Sequence, residues 1–137
     1  MKAIRAIKAY NFFFIMLFVS ANSLSNQMEN DNKLFEKATG LFQSGKVPEA
    51  VLIFRKLSDK NNNEASFYLG KIYYHGDGSD VNKPLAFQYF KRASSNGHQP
   101  SLFMLALFYV DRCFDFESCN EANKYFEEST KGLLTVY

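Results

Sequence analysis

Apolar residues recur through the middle of the chain at helical spacing, in pairs of short runs divided by turn residues. The pattern is most regular between Ala65 and Gly97. There Leu69, Ile72 and Tyr73, with small residues at Ala65 and Gly70, form the stripe that an amphipathic helix buries. Gly76-Asp77-Gly78 supplies residues that tolerate positive φ where that helix must end, and Pro84 suits the first turn of a second helix. The second helix buries Ala86, Tyr89, Phe90 and Ala93, and Gly97 closes it. Upstream, Leu34, Ala38 and Leu41 mark a helix that ends at Gly45. Ala50, Ile53, Phe54 and Leu57 mark its partner, which begins near Pro48 after the tight turn GKVPEA. Asn61-Asn62-Asn63 separates the two pairs, with Asn63 placed to cap the next helix.

These pairs are copies of one another. A shift of thirty-six residues carries Leu69, Tyr73, Ala86, Tyr89 and Phe90 onto Leu105, Tyr109, Ala122, Tyr125 and Phe126, type for type. The same shift backwards carries Ala86 and Phe90 onto Ala50 and Phe54. The first helices align at thirty-two instead, because the first turn is shorter. Three helix-turn-helix repeats, at about 33–60, 65–97 and 101–131, predict an all-α fold: a short right-handed α-solenoid whose repeats bury one continuous core by stacking.

The middle repeat resembles the SEL-one-like repeat (SLR), a relative of the tetratricopeptide repeat (TPR). Ala65, Leu69-Gly70, Tyr73, Gly76 and Gly78 stand where that pattern has them, as do Ala86, Tyr89-Phe90, Ala93 and Gly97. The first pair resembles an ordinary tetratricopeptide repeat through Ala38, Leu41, Gly45, Ala50 and Phe54. The resemblance spans about residues 33–130. It implies a scaffold for contacts with a protein or peptide, and it names no partner.

Ahead of the repeats, Lys2, Arg5 and Lys8 precede an uninterrupted apolar run from Phe12 to Val19, followed by Val19-Ser20-Ala21. This reads as a signal peptide, residues 1–21, cleaved after Ala21, with Ser23 and Ser25 as nearby alternatives. The apolar run falls short of the ~20 residues of a membrane span, so no stable span is expected after cleavage. Residues 22–32, rich in Asn and Ser, read as a flexible leader. Charge follows the same division. The full chain carries +2, but cleavage removes three of sixteen basic residues and none of fourteen acidic ones, leaving about −1. Nucleic-acid binding thereby loses its electrostatic support. Arg55-Lys56 and Lys91-Arg92 sit late in second helices, where they complement the helix dipole. The expected location is periplasmic or extracellular.

The third repeat replaces both turn glycines by Asp111-Arg112-Cys113-Phe114-Asp115. Cys113 and Cys119, the only two cysteines, bracket this altered loop, which in an exported chain argues for a disulfide between them. A loop this short gains roughly 2 kcal/mol on the chain-entropy model. A metal site would lack nearby His or further Cys, and a redox site would lack Cys-x-x-Cys spacing. Some exported members of the family are also cysteine-paired, with a different spacing and placement.

Catalytic constellations are scarce. His75 and His98 are the only histidines, both at helix boundaries, and no nucleophile motif or phosphate loop is present. The expectation is a non-enzymatic chain with no cofactor and no metal. The alternative of another class is a cell-wall-related enzyme or β-lactam binder like the secreted cysteine-rich relatives.

A binding face follows from the offsets. On the first helices, Phe67, Lys71 and Tyr74 lie beside the buried stripe, and Phe recurs at Phe35, Phe67 and Phe103. With Leu107, these residues would line a concave groove as an apolar ladder. The same spacing also suits first helices packed against each other. The tail 132–137 is apolar and too short for another helix pair. It would fold back over the last helix, or the C-terminal end would dock on a partner or form a homodimer. Phe114 and Phe116 add an apolar patch to the loop between the cysteines.

Overall fold

The computed structural model describes residues 24–95, 97–111 and 116–131. The expected signal peptide, Cys113, Phe114 and the tail 132–137 lie outside these. The described residues fall in two parts, 24–36 and 37–131, taken in turn. All regular structure among them is helical. Helical backbone runs over 24–43, termed α1, and is followed by α2 (Val47–Asp59), α3 (Asn63–His75), α4 (Lys83–Ser94), α5 (Gln99–Val110) and α6 (Phe116–Thr130).

In the first part, the helix starts at least as early as residue 24, inside the stretch 22–32 that reads as a flexible leader. Its side chains make the pairs that sustain an exposed helix. Gln27 Nε2 donates to Asp31 Oδ1 at 3.2 Å and Lys33 Nζ lies 2.7 Å from Glu29 Oε1, both across one helical turn. Polarity alone hides such a helix from a search for an apolar stripe.

In the second part, consecutive helices pack side by side, α2 on α3, α3 on α4, α4 on α5 and α5 on α6. The buried core consists of the recurring positions. Ala50 and Ala86 are fully buried and Ala122 nearly so; Phe54, Phe90, Leu69 and Leu105 are fully buried. The small residues permit close approach. An ideal Cβ on Gly70 of α3 would lie 2.6 Å from Phe90 Cε1 of α4, so a larger residue fits only if the ring or the helices shift. Two stacked tyrosine pairs repeat at the same offset: Tyr73 on Tyr89 at 5.8 Å, and Tyr109 on Tyr125 at 5.4 Å.

The turns follow the residue chemistry, with one shift. Gly76 takes φ 77° as the left-handed cap of α3, and its N–H donates to Ile72 O. Gly78, at φ 68°, brings its Cα close enough to Val47 that a Cβ would meet that side chain at 2.7 Å. Asn82 caps α4 by accepting from Leu85 N at 3.0 Å, just ahead of Pro84. The cap of α3 is Asn62, which accepts from Ala65 N at 2.9 Å, and not Asn63, which is the first helical residue. Asn61 occupies the left-handed region at φ 63° and turns the chain out of α2. That leaves its neighbour extended and positioned to cap.

Candidate functional site

The site is built on α3 and α5, whose stripes Leu69-Ile72-Tyr73 and Leu102-Leu105-Ala106 are buried. The adjoining residues of each helix are only partly covered. Phe67, Lys71 and Tyr74 are half-buried on α3; Leu107 is half-buried and Phe103 is 47% exposed on α5. Phe35 lies in the part 24–36, so the site is built here from residues 37–131 alone.

The rings of this face meet neighbours both within their own repeat and across repeats. Phe67 sits 5.7 Å from Phe90, and Phe103 sits 5.7 Å from Phe126, each on the second helix of its own repeat. Across repeats, Phe67 meets His98 at 5.1 Å. Tyr74 meets Phe108 edge-on at 5.4 Å. Upstream, Tyr68 stacks on buried Phe54 at 5.0 Å and receives the edge of Phe42 at 5.9 Å. At Phe67 and Phe103 the pairing of first with second helix repeats at thirty-six residues.

Lys71 gives the face its charge. Its ammonium lies 5.6 Å from the Tyr68 ring centroid and 5.9 Å from that of Phe67, in the attractive region above aromatic faces. Lys83 of α4 lies 5.7 Å over Tyr74 in the same manner. Both ring nitrogens of His98 have partners. Its Nδ1 is 2.9 Å from Ser101 Oγ and its Nε2 3.1 Å from Glu64 Oε1, tying the start of α5 to the start of α3. His75 is exposed at the end of α3, against Tyr74. Among the described residues no group of three or more His, Cys, Asp or Glu could hold a metal ion.

Away from this face, polar groups serve the packing. The Arg55 guanidinium donates to the Tyr73 hydroxyl and lies 6.0 Å from its ring, which holds the arginine pKa above its ordinary value. Arg92 reaches Asp59 at 3.3 Å, joining α4 to α2 on an exposed edge. Burial, helped by Tyr109, Glu121 and Glu128, raises the pKa of the Tyr125 phenol. No helix among the described residues is long and apolar enough to cross a membrane.

A cleft of about 730 Å³ opens between α4 and the end of α5 and was not foreseen from the sequence. Among the described residues Phe87, Phe108 and Tyr109 line it, with Lys83, Lys91 and Asp111 as charged groups. Phe108 also touches Tyr74, so the cleft adjoins the first-helix face. Its contributors come from two helices, and no single periodicity singles them out.

The Sel1 repeat family model matches residues 63–98, which hold α3 and α4. Among solved structures, a Sel1 repeat protein from Oxalobacter formigenes superposes with a TM-score of 0.63 at 22% identity, covering 74% of this chain. The chain spans 43% of that protein's length. Comparison with curated proteins gives no match. The chain thus carries a Sel1 repeat at residues 63–98 within a Sel1-like all-helical repeat fold.

Proposed function

We propose that this chain is an exported, non-catalytic interaction module that holds a protein partner on the face of Phe67, Lys71, Tyr74, Phe103 and Leu107. The observation that carries the reading is the incomplete burial of this face. The core beneath closes on Leu69, Ile72, Phe90 and Leu105 while the flanking rings stay partly in solvent, with Lys71 laid over two of them. Sel1 repeats generally mediate protein–protein interaction, and phenyl rings, a phenol and an ammonium suit recognition better than bond making. Export rests on the basic and apolar pattern of residues 1–21. A Cys113–Cys119 disulfide fits the oxidising compartment that export implies.

Phe103→Asp and Lys71→Glu test the face, since Phe103 is 47% exposed and the Lys71 ammonium lies over the Phe67 and Tyr68 rings. Affinity capture from the native envelope or medium, read by mass spectrometry, should lose its specific partner with either variant at an unchanged melting temperature. Retention of the partner by both variants would refute the assignment of this face. N-terminal sequencing of the mature protein should begin at Asn22; an intact Met1 would refute cleavage.

A further inference from the structure

We infer that the cleft between α4 and the end of α5 is a second binding site, selective for an acidic peptide segment that carries an aromatic or bulky aliphatic anchor. This rests on the interaction-module reading and names a partner chemistry for it. The cleft volume of about 730 Å³ falls within the range of ligand clefts, ~300–1,000 Å³. Its floor is aromatic: Phe87 lies 5.6 Å from Phe108 and 6.0 Å from Tyr109, with Phe87 and Phe108 only half-buried.

Among the described residues its rim carries an excess of positive charge. Lys83 and Lys91 are exposed, and neither forms an ion pair among the described residues. Lys83 is steadied over the Tyr74 ring at 5.7 Å. Among the described lining residues Asp111 is the one carboxylate, set against two ammonium groups. The lysines lie two helical turns apart on α4, about 12 Å at 1.5 Å per residue. An extended segment covers that span in about three to four residues. Carboxylates at that separation would meet both lysines while an apolar side chain between them enters the floor.

Repetition supplies an independent argument. Positions that the fold needs recur at thirty-six residues, as Ala86 and Phe90 do. Phe87 and Lys91 correspond to Val51 and Arg55 in the preceding repeat, and to Asn123 and Glu127 in the following one. The aromatic floor is lost downstream and the charge inverts. Stacking of repeats therefore does not account for the combination at this junction.

A displayed library of random peptides, panned against the full chain, provides the probe. Selected peptides should carry carboxylates around an aromatic or aliphatic residue. The double variant Lys83→Glu/Lys91→Glu should weaken their binding at least about tenfold in fluorescence anisotropy, as expected for losing two exposed charge pairs and gaining repulsion. Phe103→Asp should leave this binding unchanged. Acidic peptides that respond to Phe103→Asp and Lys71→Glu but not to the lysine pair would overturn the cleft assignment and keep the module reading. Neutral or basic peptides would likewise overturn it, and a library without binders would count against both. Concentration-dependent self-association in sedimentation, abolished by the lysine pair, would assign the cleft to a second copy and end the inference.

Discussion

Adding one methyl group at Gly70 isolates the close approach of α3 and α4. An ideal Cβ there meets three ring atoms of Phe90 at 2.6, 2.7 and 2.9 Å, distances that real Cβ atoms essentially never show. A flexible side chain could move aside, but Phe90 is fully buried. Its ring is held by Phe67 at 5.7 Å, Phe108 at 6.1 Å and Tyr74 at 6.5 Å. The helices must therefore separate, or the ring must leave its place among three others. Overpacking of this kind costs about 1–3 kcal/mol. Against it stands the gain of replacing a helical glycine by alanine, about 1 kcal/mol.

Gly40 supplies the matched control. It is also helical, is exposed, and a Cβ on it would meet nothing within 4 Å. Gly40→Ala should keep the whole propensity gain of about 1 kcal/mol, whereas Gly70→Ala should lose up to about 2 kcal/mol net. Each kcal/mol moves Tm by about 4–8 °C in a domain of this size. Calorimetry or thermal circular dichroism should place the two variants on opposite sides of the parent, about 10 °C apart. A Gly70→Ala protein melting at or above the parent would refute the claim that glycine at this position is required by packing.

Three further outcomes follow from individual contacts. Ser66 Oγ donates to Asn62 O at 3.0 Å, so Ser58 must be the donor in the buried 2.8 Å Ser58–Ser66 bond. Ser66→Ala should then destabilise more than Ser58→Ala in urea unfolding, by about 1 kcal/mol, because only the first strands a buried hydroxyl. Because the Tyr125 phenol is raised by burial, the fold favours its neutral form. Its stabilisation is complete below the ordinary tyrosine value of about 10 and is lost as pH rises through the higher folded value. Tyrosinate absorbance should show a late-titrating phenol that Tyr125→Phe removes. If Cys113 and Cys119 are joined as proposed, reduction should add the mass of two hydrogens. Cys119→Ser should then lower stability by roughly 2 kcal/mol in oxidising buffer.

The repeat architecture was legible because its core positions are the positions that recur. Ala50, Ala86 and Ala122, Phe54 and Phe90, and Leu69 and Leu105 are buried where the offset of thirty-six puts them. What escaped depends on backbone geometry or on neighbours from another helix. Three consecutive asparagines are equivalent as residue types, and only the positive φ of Asn61 makes Asn62 the cap. The spacing of Phe67 and Phe103 placed them beside the buried stripe. It could not say that Phe90 and Phe126 would be their partners. The cleft combines α4 residues with the last turn of α5, so no pattern within one helix announces it.

The third repeat shows where packing stops explaining the residues. A helix in a repeat stack needs apolar residues only where neighbours cover it, yet α5 reads QPSLFMLALFYV, apolar almost all round. Leu102, Leu105 and Ala106 account for the covered sides, against α4 and α6. Phe103 and Val110 each remain 47% exposed. An exposed apolar residue is ordinary when isolated. Here Phe103, Leu107 and Val110 recur every three or four residues along one helix, which aligns them on a single face. The equivalent positions of α3, in the preceding repeat, hold Phe67, Lys71 and Tyr74, which add charge and a phenol. A local rule broken along one face, in a fold otherwise consistent from turn to core, is the pattern on which the proposed partner face rests.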